Sequence, residues 1–345
     1  MGMSKFMPIY EAIQREKTIL GVGPMSFNTI DATIEISNEY KVPLILIASR
    51  RQVECSDYGG GYVTDTRTFA EYVRKRNTNG LIFLARDHGG PWQGTDESEL
   101  NYFYAMESAR KSYYADIESG FDIIHIDPSL RARPLKEIIG DVQSLYQDCE
   151  QYAKEFGRDI IYEVGTEEHS GNIHDLESFE NFVKEVKICC PKVRFVVGNT
   201  GLWVKEQANF GSINEDHTKK MVEICNKNEV YLKAHNCDYL HYDTRKKWKQ
   251  FGIHSANIAP EFGTAETKTL FSWANMMGYD NEAQKFYDIA YNSGKYIKWM
   301  VSDTPTRWKS GSVVGVNERQ YKAEICGHYV FNHLEIKQIR EKLNK

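Results

Sequence analysis

The chain has 345 residues, 41% of them hydrophobic and 26% charged, with a formal net charge of −5. These proportions exclude wholesale disorder, which goes with few apolar residues and a high net charge. The negative balance supplies no field that would draw a phosphate backbone, which argues against sequence-independent nucleic-acid binding.

The length suits two average domains, or one α/β barrel of ~250 residues with insertions. No run of 18 apolar residues occurs, so no membrane span is expected. The first residues, MGMSKFMPIYEAIQREK, lack an apolar h-region, so no secretory signal is expected. Seven scattered cysteines without a CxxC pair argue against a disulfide scaffold or a cysteine-rich zinc site. A reduced, cytoplasmic protein is the expectation.

In chain order, residues 5–17 read as a helix that would close one end of a barrel. Eight short apolar runs follow: 18–23 (TILGVG), 42–49 (VPLILIAS), 80–85 (GLIFLA), 121–127 (FDIIHID), 159–165 (DIIYEVG), 193–198 (VRFVVG), 230–235 (VYLKAH) and 253–258 (IHSANI). Runs this short and rich in Ile, Val and Phe are typical of buried parallel strands. The clearest helical stretches between them are 98–120, 134–156, 175–189 and 217–227. Strand–helix alternation through eight runs predicts a TIM (β/α)8 barrel. After about residue 265 the chain reads helical, over 265–277, 281–298 and 320–343. The expected organisation is one domain, 1–345, with the barrel over about 18–275 and a helical C-terminal extension over about 276–345. An open nucleotide-binding sheet would need a glycine-rich turn after the first run. That turn reads Gly21-Val22-Gly23-Pro24, with no third glycine.

Barrel chemistry sits at the C-terminal ends of the strands. The third run ends in Arg86-Asp87-His88-Gly89-Gly90, and the fourth carries His125 and Asp127 on one face. The fifth carries Glu163 and leads into Glu167-Glu168, the sixth ends at Asn199, and the seventh carries Lys233 and His235. Interior titratable groups are costly unless paired or bound to metal. Two histidines and a carboxylate from different strands can give a divalent metal three protein ligands and an open position. His88 and His235 with Glu167, or with Glu163 in its place, are the candidate ligands, and Asp87 is the candidate general base. The bland alternatives are satisfied interior histidines, and an Asp87 that orients an imidazole or caps a turn. For a phosphate, the candidates are Lys233 and the Gly263-Thr264 turn, read as opening a helix near Ala265. Arg50-Arg51 could bind a second anion or be merely solvated. His254 and His328 read as structural.

The stretches RDHGGPW (86–92), IHID (124–127), VGTE (164–167), AHNCDY (234–239) and APEFGTA (259–265) occur in an order and spacing that resemble a known family. It is the tagatose-bisphosphate aldolase non-catalytic (accessory) subunit family, a relative of class II sugar-phosphate aldolases, some of whose members resemble ketose-phosphate C4 epimerases. The resemblance runs to about Phe271, roughly three-quarters of the chain.

It implies a TIM barrel and a divalent metal, often Zn2+ (with Mn2+, Co2+ or Mg2+ as options), that stabilises an enediolate. It also implies an acidic residue that handles the C4 hydroxyl proton. Carried onto this sequence, Asp87 matches the base, His88 and His235 match metal ligands, and Glu163 with Glu167-Glu168 matches the carboxylate region. Glu167 or Glu168 would shuttle protons.

There are departures. Asn199 stands where a third metal-binding histidine is usual, so a strand-five carboxylate must substitute. Asn236-Cys237-Asp238 replaces the glycine-serine phosphate loop. Asn236 and Asp238, with Lys233, Asn199, Gly263 and Thr264, make up the expected substrate or phosphate contacts. The resemblance thus implies metal-dependent retro-aldol chemistry on a phosphorylated ketose, by an aldolase or a C4 epimerase. The alternatives are an accessory subunit that stabilises a class II aldolase, and a binding protein with a vestigial site. A homo-oligomer or an aldolase partner chain fits the first two readings.

Overall fold

Alternation along the strands sorts the barrel residues onto two faces. In the computed structural model, which describes residues 4–165, 175–301 and 318–343, odd-numbered strand residues such as Ile19, Ile45, Ile47, Phe83, Ile123, Ile161 and Phe195 form one apolar cluster. Even-numbered neighbours such as Leu44, Leu46, Leu84, Ile124, Val164 and Val196 join a second cluster with the surrounding helices. Burial on both faces is why these strands read as continuous apolar runs.

The strands are β1 (Ile19–Val22), β2 (Leu44–Ser49), β3 (Val53–Glu54), β4 (Thr64–Asp65), β5 (Ile82–Gly89), β6 (Ile123–Ile126), β7 (Ile161–Gly165), β8 (Val193–Gly198), β9 (Val204–Lys205), β10 (Ala208–Asn209), β11 (Tyr231–Ala234) and β12 (Ser255–Ile258). Eight of them close a parallel barrel in the order β1-β2-β5-β6-β7-β8-β11-β12, while β3–β4 and β9–β10 form small separate sheets. The fold is a TIM barrel, with each expected run on a barrel strand.

The helices that follow are α1 (Met7–Gln14), α2 (Phe27–Tyr40), α3 (Thr66–Arg76), α4 (Tyr102–Ser119), α5 (Leu135–Glu155), α6 (Leu176–Cys189), α7 (Glu215–Lys227), the short α8 (Tyr242–Lys246) and α9 (Trp248–Phe251), α10 (Pro260–Met276) and α11 (Asp280–Asn292). Phe6, Ile9 and Ile13 of the α1 region pack into the barrel-interior cluster and close its lower end. No helix among the described residues is long and apolar enough to cross a membrane.

The helix expected over 320–343 is broken. Two helices, Glu318–Cys326 and Leu334–Leu343, flank a 3-10 turn at Gly327–Val330. At the break Gly327 lies against α10 so closely that a Cβ there would fall 2.3 Å from Thr267 Cγ2. Phe271, Phe286, Phe331, Ile336 and Ile339 share one apolar cluster that joins α10, α11 and these helices. Asn332 donates to the carbonyls of Tyr62 (2.6 Å) and Val63 (2.7 Å), tying this C-terminal part to the loop between β3 and β4.

A buried ion network lies behind β5. Arg86 faces outward and donates to Asp116 of α4 at 2.7 and 2.5 Å, and to the carbonyls of Ala48 (3.0 Å) and Val53 (2.6 Å). Arg50 pairs with Glu54 (2.5 Å) and Glu97 (2.7 Å) and donates to the Gly90 carbonyl at 3.1 Å. Burial lifts the Asp116 carboxyl to about 6, against the pull of the Arg86 guanidinium.

Removing one partner of such a pair strands a buried charge. Asp116→Ala should therefore lower the unfolding free energy by about 3–5 kcal/mol. Urea titration checks this, and a loss below about 1 kcal/mol would show that the pair is not what holds β5 to α4.

Candidate metal centre

At the C-terminal end of the barrel the inward positions change from apolar to ionisable. Asp87 lies near the end of β5, His125 on β6, Glu163 on β7, and His235 follows β11. His125 and Glu163 are direct register partners, so adjacent strands bring them side by side. One ligand atom from each of Asp87, His125, Glu163 and His235 lies within 4.8 Å of every other, and all four residues are buried.

His125 Nδ1 is 3.6 Å from Asp87 Oδ1 and 3.4 Å from Glu163 Oε1. His235 Nε2 is 3.6 Å from Asp87 Oδ1 and 3.7 Å from Glu163 Oε1. Four ligands about 2.1 Å from a tetrahedral ion stand roughly 3.4 Å apart, which these separations match. His125 Nδ1 accepts from the His88 backbone N–H at 3.3 Å, so it carries no proton, and an ion bound there would take over the lone pair that this hydrogen bond uses. Glu163 Oε1 is buried with no hydrogen-bond partner among the described residues, while its Oε2 takes Lys233 Nζ at 2.7 Å.

Electrostatics points the same way. Burial would raise the Glu163 pKa, but Lys233, His125 and His235 bring it down to about 2. Burial acts likewise on Asp87, and facing His88 and His235 hold it well below the usual carboxylate range. Asp127 is also held low against burial, by its bond to His88. The carboxylates of Asp87, Asp127 and Glu163 are all buried; Lys233 pairs with Glu163, and His88 with Asp127. The mixed N and O donors suit Zn2+, Mn2+ or Co2+. The residues present fit such an ion.

The structure groups several of these residues differently from the expectation. The compact donor set holds His125 where His88 was expected. The register between β5 and β6 shifts between Arg86 and Gly89, and His88 takes a left-handed φ of 45°. Its ring leaves the strand alternation, and Nδ1 bonds Asp127 Oδ2 at 2.8 Å while Nε2 faces Asp87 Oδ2 at 3.9 Å. Asp87, expected as a base, belongs to the donor set. Glu167 and Glu168 lie outside the described residues. Lys233, expected on a phosphate, is committed to Glu163 inside the barrel.

The phosphate turn is also corrected. α10 begins at Pro260, so Gly263 and Thr264 lie within its first turns and do not precede it. Gly263 packs on His328, and Thr264 Oγ1 pairs with the Tyr239 hydroxyl at 2.9 Å. Asp238 Oδ1 accepts from the Ala259 and Glu261 N–H groups, both at 2.9 Å, and the Glu261 carboxylate accepts from Tyr239 N at 2.7 Å. The protein's own carboxylates therefore satisfy the helix end where a phosphate was expected. Asn199 turns its Oδ1 onto Gly201 N at 2.8 Å, and the Asn236 carbonyl accepts from Asn209 Nδ2 at 2.7 Å. His254 Nδ1 accepts from Leu232 N at 3.0 Å, a structural role.

Above the donor set opens a cleft of about 380 Å3, with Asp87, His88, His235, Asn236, Asp238 and Asn257 among its lining residues. The sequence shows His125 as an inward strand residue but does not single it out as a ligand; the register that groups it with Glu163 appears only once β6 and β7 pair.

No protein-family model and no curated protein matches the chain. Among solved structures it is similar to a probable tagatose 6 phosphate kinase from Sinorhizobium meliloti 1021, with a TM-score of 0.76 and 17% identity over 95% of this chain and 86% of that one. It is also similar to the fructose-bisphosphate aldolase of Campylobacter jejuni (TM-score 0.55, 13% identity, 97% and 92% coverage). The YdjI aldolase from Escherichia coli K12 gives a TM-score of 0.52 and 12% identity, with 99% and 96% coverage. At these identities the likeness is one of fold: the chain shares the barrel architecture of these structures.

Two measurements follow. Metal analysis after dialysis should find retained divalent metal at least tenfold lower in His125→Ala and His235→Ala than in the parent, with a smaller loss in His88→Ala. Parent-level metal in His125→Ala would contradict the donor set. At Asp238, burial raises the carboxyl to about 7, against the pull of the N–H groups it caps. The folded state then holds a proton that the unfolded chain has released, so this group makes stability fall as pH rises from about 4 to about 7. Asp238→Asn should keep the cap and flatten that slope in thermal melts across pH. An unchanged slope would contradict the assignment.

Proposed function

We propose that the protein catalyses metal-dependent retro-aldol and aldol chemistry on a phosphorylated ketose, as a class II-type aldolase or a C4 epimerase. The observation that carries this reading is the buried Asp87–His125–Glu163–His235 donor set beneath an open cleft at the C-terminal end of the barrel. A divalent ion held there would act as a Lewis acid toward the oxygens that gain charge when a carbon–carbon bond beside a carbonyl breaks.

The chain's own residues supply the rest. Lys233 fixes one oxygen of Glu163 and leaves the other directed at the donor set. Asp127 accepts from Gln93 Nε2 (3.2 Å) and holds the His88 ring in place. His88 then presents Nε2 beside Asp87 in the cleft, positioned to move the hydroxyl proton of a bound substrate. Asn257, whose Nδ2 lies 3.4 Å from Asp87 Oδ1, orients that carboxylate.

Two of the similar structures carry names that refer to a phosphorylated ketohexose, tagatose 6-phosphate or fructose bisphosphate, which supports the substrate class. Aldol chemistry is favoured over phosphoryl transfer because the first β–α turn lacks a phosphate-cradling glycine loop. A pure scaffold subunit has no physical need for so costly a buried set.

Incubation with fructose 6-phosphate and with fructose 1,6-bisphosphate, followed by NMR, tests the reading. A C4 epimer or triose signals, abolished by a chelator, are expected. His88→Ala should retain most of its metal and turn over at least a hundredfold more slowly. Absence of both products in a metal-loaded protein would overturn the proposal.

A further inference from the structure

With the helix end at α10 filled by Asp238 and Glu261, and Lys233 committed to Glu163, the expected phosphate contacts are used up within the protein. The same cleft has a second group of cations at its mouth. Arg51 comes from the loop after β2, Lys205 from β9, and Lys298 from the 3-10 turn Ile297–Trp299, and all three line the cleft. None of the three has a carboxylate within ion-pair distance among the described residues, in a chain whose net charge is −5. Elsewhere on the surface Lys219 is paired with Glu215 and Lys285 with Glu335; what sets these three apart is that they line one cleft together.

The cluster is assembled by hydrogen bonds rather than by loose side chains alone. The β9–β10 hairpin docks on the C-terminal part: Lys205 Nζ donates to the Lys298 carbonyl at 3.0 Å, and Glu206 N donates to the Trp299 carbonyl at 2.8 Å. Trp299 Nε1 donates to the Tyr329 hydroxyl at 3.2 Å, and Lys298 Nζ lies 5.0 Å from both rings. Trp203 completes the aromatic wall. Lys298 is exposed at the mouth, where Arg51, Lys295 and Lys205 stand near enough to repel its charge. Three cations held together without a counter-charge are a standing demand for an anion.

We infer that Arg51, Lys205 and Lys298 seat the phosphate monoester of the substrate at the cleft mouth, with the sugar extending from there toward the donor set at the floor. This rests on the aldol reading only for what happens at the floor. The anion seat itself is independent of the metal. It also gives the C-terminal part a function, because Lys298, Trp299 and Tyr329 are contributed by it and not by the barrel strands. A phosphate dianion is favoured over a carboxylate because three cations, one of them a guanidinium that can bind two oxygens at once, exceed what a single negative charge needs.

Calorimetric titration of the intact protein, with and without chelator, with fructose 6-phosphate, fructose and gluconate tests this. Fructose 6-phosphate should bind at least tenfold more tightly than fructose or gluconate in both conditions. Arg51→Ala and Lys298→Ala should each weaken it at least tenfold while retained metal and melting temperature stay at parent values. Lys75→Ala, an exposed lysine on α3, should change it less than twofold. Unchanged fructose 6-phosphate affinity in both variants, or gluconate binding as tightly as the phosphate ester, would overturn the inference. Loss of turnover and metal with phosphate binding intact would instead count against the aldol reading alone.

Discussion

The structure depends on how a barrel interior tolerates charge. Below the mouth, the inward positions hold Ile19, Ile45, Phe83, Ile123, Ile161 and Phe195, and no charge is present in that cluster. One layer higher, Asp87, Glu163 and Lys233 are all buried, and only one ion pair, Lys233–Glu163, is made directly among them. Carboxylates in such a place must be compensated. Lys233 compensates one, His88 steadies Asp127, and the remaining negative charge gathers around the point where His125 and His235 converge. Small residues make the room. A Cβ on Gly165 would come within 3.0 Å of His125 Nε2, and one on Gly21 within 2.2 Å of Asn257 Oδ1.

The outward face of β5 carries the complementary device. Arg86 and Asp116 lock the strand to α4, and Arg50 holds the Gly90 carbonyl just beyond its end. Between these two anchors the register against β6 shifts, and His88 is held in a left-handed conformation that a non-glycine residue rarely adopts. The result separates two neighbouring residues. Asp87 points into the donor set, and His88 swings to Asp127 and the cleft. A strained backbone at such a place is a familiar means of presenting a side chain that regular geometry would turn elsewhere.

Much of the architecture was legible in the sequence, because period-two burial and βα alternation are local signals. The eight runs fall on the eight barrel strands, and Asp87, Glu163 and His235 belong to the layer where polar residues replaced apolar ones. What was not legible depends on contacts between distant segments. Simple alternation along 80–85 could not reveal the irregularity that exchanges His88 for His125. The register that sets His125 beside Glu163 appears only when two strands pair. Gly263 and Thr264 looked like an anion turn because a glycine before a helix resembles one. The helix instead starts at Pro260, and Asp238, 21 residues from Ala259, fills its end. The cations at the mouth come from positions 51, 205 and 298, which no local motif connects.

The barrel and the C-terminal part thus build one cleft from two directions, with a buried donor set at its floor and cations at its rim. The central claim is that the floor holds a divalent ion between His125 and His235. The most direct measurement is an anomalous-difference map from crystals grown with Mn2+ or Zn2+. The account predicts a single strong peak bounded by Asp87, His125, Glu163 and His235. A peak on His88 with His125 outside its coordination, or no peak in this layer, would contradict it.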